Sequence, residues 1–148
     1  MLTINFNQKS INDLLKELKG KDKEVLDMVR AEVEDALLKI ESEAVSKVAV
    51  DTGTLKQSIQ STPVKQTKTT VRGGVEVGAD YAPYVEFGTG TKVKVPSELQ
   101  KFAKEFKGKG KKEVNLRARP FFYPEFFKQR NELPKAIEKT LQTLLKKK

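Results

Sequence analysis

Cysteine, histidine and tryptophan are all missing from the 148 residues, and aromatic residues make up only 7% of the chain. Without thiol or imidazole there is no disulfide, no cysteine nucleophile, no Ser-His relay and no zinc site built from soft or imidazole ligands. Long hydrophobic runs are missing too. The longest reach three or four residues, far short of the ~20 that span a bilayer as a helix, and Met1 to Ser10 is polar with no apolar leader core. The expectation is a soluble, unsecreted protein. A chain of this length makes one domain, 1-148, that buries roughly 70% of the surface exposed by its unfolded form. No internal repeat is present.

What the chain has in excess is positive charge: 29 basic against 20 acidic side chains, a net +9. Lys101, Lys104, Lys107, Lys109, Lys111 and Lys112 stand against a single Glu105, and Lys146, Lys147 and Lys148 close the sequence. Outside these two stretches the chain is close to neutral. The excess therefore belongs to a glycine-punctuated segment and a terminal tail, expected to be solvated, with the six lysines as candidates for contacting DNA phosphates.

Hydrophobic periodicity gives the elements. Ser10 and Asp13 suit a helix start before Ile11, Leu14, Leu15 and Leu18, which stop at Gly20. Val25, Val29, Val33, Leu37, Ile40, Ala44 and Val48 then recur at helical spacing, predicting a helix over about 22-48, roughly 40 Å long at 1.5 Å per residue. Thr54 with Gln57 predicts a capping box on a short turn. Thr- and Val-rich alternation from Ser61 to Asp80 predicts a hairpin or meander, turning at Gly78 to Asp80. Tyr81 to Phe87 fits a third strand or a tight helical turn, since Pro83 cannot donate to a central ladder. Val93 to Val95 reads as a strand remnant. Ser97 with Gln100 opens a capped segment with Leu99, Phe102, Ala103 and Phe106 on one face, and Val114 and Leu116 lead to a final strand ending at Pro120. The five aromatic rings between Phe121 and Phe127 are expected to anchor the core. A C-terminal helix over about 132-146 carries Ile137, Leu141, Leu144 and Leu145, with Pro134 in its first turn. The fold class is α+β: a small antiparallel sheet, over about 61-120 with a basic insertion at 97-112, packed against the long N-terminal helix and the C-terminal helix.

Several strings invite a chemical reading. Asp51-Thr52-Gly53-Thr54 looks like the catalytic loop of aspartic proteases, but its preceding apolar spacing is helical and its second half is poorly matched, so it reads as a helix stop. Gly88-Thr89-Gly90-Thr91-Lys92 lacks the spacing of a phosphate loop. Glu76, Asp80 and Glu86 could in principle hold Mg²⁺, although carboxylates in strand-and-turn sequence are usually solvated. Phe102 and Phe106 among lysines could stack on bases, but their spacing with Leu99 is better explained by packing. Glu86, set between Val85 and Phe87, must be paired if buried; Arg119 is the candidate partner, and a strand edge facing water the alternative.

Three ordered strings carry a resemblance: Asp51-Thr52-Gly53-Thr54-Leu55-Lys56-Gln57-Ser58, then Tyr81-Ala82-Pro83-Tyr84-Val85-Glu86-Phe87-Gly88-Thr89, then Ala118-Arg119-Pro120-Phe121-Phe122-Tyr123-Pro124. Behind a long helix, they resemble the neck or tail-completion family of long-tailed bacteriophages and prophages. The family's recurrent positions fall on Thr52, Gly53, Leu55 and Ser58; on Tyr81, Ala82, Val85, Glu86, Phe87, Gly88 and Thr89; and on Arg119, Pro120, Phe121 and Pro124. The resemblance implies a non-enzymatic virion protein at the head-tail junction, without cofactor, metal or membrane. It also implies a homo-oligomeric ring around the DNA path, meeting head-closure or connector proteins and tail terminator or tail tube proteins, with non-specific contact to packaged DNA. The competing expectation is a small basic nucleic-acid-binding protein.

Overall fold

The structure is a computed structural model that describes residues 2–5, 22–48, 53–89, 95–100 and 116–146. The expected helix at 10–18, the strand remnant at 93–94 and the lysine segment at 101–112 lie outside them, as do Asp51, Thr52, Lys147 and Lys148. In chain order the elements are β1 (Leu2–Asn5), α1 (Asp22–Lys47), α2 (Thr54–Gln57), β2 (Ile59–Ser61), β3 (Lys65–Gln66), β4 (Val71–Val77), α3 (Ala82–Phe87), a 3-10 turn (Ser97–Leu99) and α4 (Tyr123–Lys146).

The long helix forms where its periodicity places it, and all seven residues of its expected stripe are buried. With Leu26 and Ala36 they make a surface wide enough to meet two partners. One side lies on β4 and β2, and the other carries α4. The Lys47 ammonium reaches Glu125 at 3.5 Å, and the Thr140 hydroxyl donates to Glu32 at 2.7 Å. Residues near the end of α1 thus meet the start of α4 and the reverse, so the two helices run antiparallel. Each fully buried Val, Leu, Ile or Phe here is worth about 1.5–3 kcal/mol relative to exposure, which makes this stripe the main source of stability.

All sheet pairing is antiparallel and passes through β4, in the order β1-β4-β2, with β3 also on β4. Ile59 pairs with Val77 and Ser61 with Val75, but Lys65 pairs with Arg72 and Gln66 with Val71. The register slips by one residue between Ser61 and Lys65, which is a β-bulge, and Pro63 lies in it with no N–H to give the ladder. Opposite the bulge, Gly73 sits where a side chain has no room. A Cβ there would lie 2.5 Å from Leu37 Cδ1 of α1 and 2.9 Å from Val64 Cγ2.

Several expectations are corrected. The sheet starts at β1, which the sequence reading missed, and the described strands end at Val77 rather than near 120; residues 116–120 form no strand. Tyr81 to Phe87 is not a third strand: Pro83 falls in the first turn of α3, where a missing N–H costs nothing. The Thr54 capping box is not made; Gly53 takes the N-cap position with no side-chain bond. The C-terminal helix begins at Tyr123, so Pro134 lies in its interior, on an exposed stretch with Arg130. The aromatic run extends the helical stripe backwards, because Phe122, Phe126, Leu133, Ile137 and Leu141 are buried along one continuous face.

Candidate functional site

The second and third motif strings interlock. The second forms α3, which buries Ala82 and Glu86 one turn apart and ends where Gly88 takes φ 77°, a value open to glycine because it has no Cβ. The third string leads into α4. Every helix leaves N–H donors unpaired at its start and carbonyls unpaired at its end. Here each string supplies what the other lacks. The Glu86 carboxylate accepts the N–H groups of Phe121 at 2.8 Å, Phe122 at 3.0 Å and Tyr123 at 3.1 Å, all at the start of α4. In return the Arg119 N–H donates to the Val85 carbonyl at 2.8 Å, at the end of α3. Beyond the turn the Thr89 N–H donates to the Leu116 carbonyl at 3.0 Å, and the Leu116 N–H to the Thr89 hydroxyl at 2.9 Å.

This overturns both sequence expectations for Glu86. The residue is 4% exposed, so it does not face water, and its partners are backbone donors rather than the Arg119 guanidinium. Only the backbone of Arg119 joins the junction. A buried anion at a helix start is favoured by the aligned peptide dipoles as well as by the direct bonds. Burial nevertheless pushes the Glu86 carboxyl above the usual carboxylate range, against the pull of the three N–H donors and of Lys47. The effect spreads to Tyr123, where burial and then the Glu86 charge push the phenol up to about 12.

Rings build outward from this point. Phe87 and Tyr123 stand 5.1 Å apart, Phe122 meets Tyr123 edge-on at 5.7 Å, and Phe126 and Phe127 continue the series along α4. Next to them Glu125 is held by Lys47, Lys128 and Gln129. Burial alone would raise its pKa, but the Gln129 amide and the two ammonium groups bring it below the ordinary value. A cleft of about 420 Å³ opens between the junction and the 3-10 turn, walled by Phe87, Pro96, Pro120, Tyr123, Pro124 and Phe127, with Glu98 and Arg130 on its rim 3.9 Å apart.

The first string is placed differently. Leu55 is buried in the shared core, and Ser58 donates from its hydroxyl to the Leu55 carbonyl at 2.9 Å and accepts the Gly78 N–H at 2.9 Å. It fixes the entry to β2 rather than building the junction. Glu76 and Asp80 are exposed and Glu86 is committed to backbone N–H groups, so the three acids do not form a common site. Among the described residues no group of three or more acids is placed to hold a metal ion, and no helix is long and apolar enough to cross a membrane. What sequence reasoning missed is the set of amides at 121–123, since backbone donors leave no mark in residue type.

The junction is a structural lock: its polar groups are spent on one another, and nothing nucleophilic is left poised beside them. No curated protein and no solved structure matches the chain. A family model does, over residues 9–88, just over half of the sequence and spanning the first two strings; its description is "Bacteriophage HK97-gp10, putative tail-component". With the long helix, the β4 sheet and the α3 turn all inside the matched span, the chain belongs to the HK97 gp10-like family of bacteriophage tail components.

Proposed function

We propose that this protein joins head to tail at the neck of a tailed phage or prophage, or completes the tail, as a ring of copies around the path of the DNA. Its work is binding alone, with no catalytic step. The observation that carries this reading is the family match to a tail component over residues 9–88. The interlocked second and third strings support it, because they make a rigid scaffold from α1 to α4 rather than an open reactive site. The partners are further copies, head-closure or connector proteins on one side, and tail terminator or tail tube proteins on the other. The lysines at 101–112 then line the DNA path and touch phosphates without reading sequence.

The test is electron microscopy of particles made by the source phage or prophage with an early stop codon in this gene. DNA-filled heads and finished tails lying apart are the expected result. Normal infectious virions would remove the protein from the junction.

A further inference from the structure

The two edges of the sheet are not alike. On the β2–β3 side the edge is closed to strand addition. The bulge and Pro63 interrupt it, Lys65 adds a charge, and the outward N–H of Ser61 is taken at 2.7 Å by Glu41 of α1. On the β1 side none of these devices is present: Leu2-Thr3-Ile4-Asn5 holds neither proline nor charge.

The register fixes which groups that edge offers. The N–H and C=O of Gly74 both point at Thr62, at 2.9 and 2.8 Å. Successive residues of a strand direct their backbone groups to opposite sides, so Gly73 and Val75 direct theirs at β1. Their partners there are Ile4 and Leu2. The N–H and C=O of Thr3 and Asn5 therefore point away from the sheet. The same alternation sends the Ser61 N–H outward on the far edge, where Glu41 meets it.

We propose that this edge is the self-association surface of the free protein, and that its occupant is β1 of a second copy, antiparallel about a two-fold axis. The outward residues Thr3 and Asn5 stand two apart, so Thr3 of one copy falls opposite Asn5 of the other, and Ile4 meets Ile4 on the axis. Each Thr3–Asn5 pair exchanges two N–H···O bonds, giving four in all. Two chains of charge +9 repel one another, and this uncharged stretch lets their backbones approach without placing like charges face to face. The pair closes at two copies and leaves the β2–β3 edges outermost, where they are already protected.

The inference stands apart from the neck role, which is read on virions rather than on the free chain. Light scattering and native mass spectrometry of the full chain over a dilution series test it. The wild type is expected to dimerise. Thr3→Pro removes only an outward N–H, so it keeps the β1–β4 bonds and loses two of the four intermolecular ones. It should weaken the dimer about thirtyfold with the melting curve unchanged. Should the proline disturb β1 itself, Thr3→Lys with Asn5→Lys places lysine opposite lysine across the axis and should give monomers. A wild type that stays monomeric throughout, or variants that dimerise as the wild type does, would overturn the proposal.

Discussion

Replacing Glu86 by alanine should be among the costliest single changes in this fold. The three amides at 121–123 sit at distances of 2.8 to 3.1 Å from a carboxylate that is 4% exposed, so removing it leaves donors facing a space that water enters poorly. An unpaired buried donor costs about 1–3 kcal/mol, and releasing the buried charge returns part of the sum, so a net loss of about 3–5 kcal/mol follows. At roughly 2–4 °C per kcal/mol for a domain of this size, the midpoint falls by about 10 °C or more. Glu86→Gln is milder, about 1–2 kcal/mol, because one oxygen can still serve Phe121 and Phe122 while the amide group confronts the Tyr123 N–H. The pH dependence has a definite sign. Burial raises the Glu86 pKa in the folded chain, so the fold holds that proton more tightly than the unfolded chain does. The stabilisation is complete below the ordinary glutamate value and fades as pH rises through the folded one. The wild type therefore gains on Glu86→Gln between pH 7 and pH 4, measured by urea unfolding of both at each pH, with other titrations cancelling in the difference. An alanine variant within about 0.5 kcal/mol of wild type would refute the capping role. A glutamine penalty that shrinks in acid would show that the three amides outweigh burial.

Gly73→Ala should cost about 1–3 kcal/mol, since its Cβ would enter the space of Leu37 and Val64. Adding Leu37→Val, which removes the offending Cδ1, should make the double variant more stable than the two single losses predict, and strict additivity in urea would reject the clash. Replacing Lys101, Lys104, Lys107, Lys109, Lys111 and Lys112 together should flatten the salt dependence of DNA binding; a wild type that binds no DNA at low salt would reject the DNA contact.

The long helix was legible because its apolar residues repeat at a spacing that only a helix brings to one face, and each proved buried. The second and third strings were legible as a family signature, yet their contact with each other was not. Glu86 finds its partners some 35 residues away in backbone amides, which every sequence has everywhere, whereas the eye seeks a cationic side chain and settles on Arg119. The start of α4 was hidden for a similar reason. Phe121 to Phe127 reads as a cluster by composition and as a helix only by phase, and Pro134 invited a boundary that tertiary packing overrides. Strand β1 is four residues long, too short for its alternation to stand out, and β4 supplies its pairing from 67 or more positions along the chain.

The clasp between Thr89 and Leu116 has a consequence for how this chain could change over time. Both ends of the intervening stretch are tied, one to the other, by paired bonds that involve only those two residues. Once the ends of a loop are held, its length matters little: doubling a flexible loop adds only about 0.6 kcal/mol to the cost of closing it. The scaffold is therefore indifferent to much of what lies between them. A gene could lengthen, shorten or exchange that passage to suit a new neighbour while α3 and α4 stay latched, and an engineer could graft a reporter or a binding peptide at the same port.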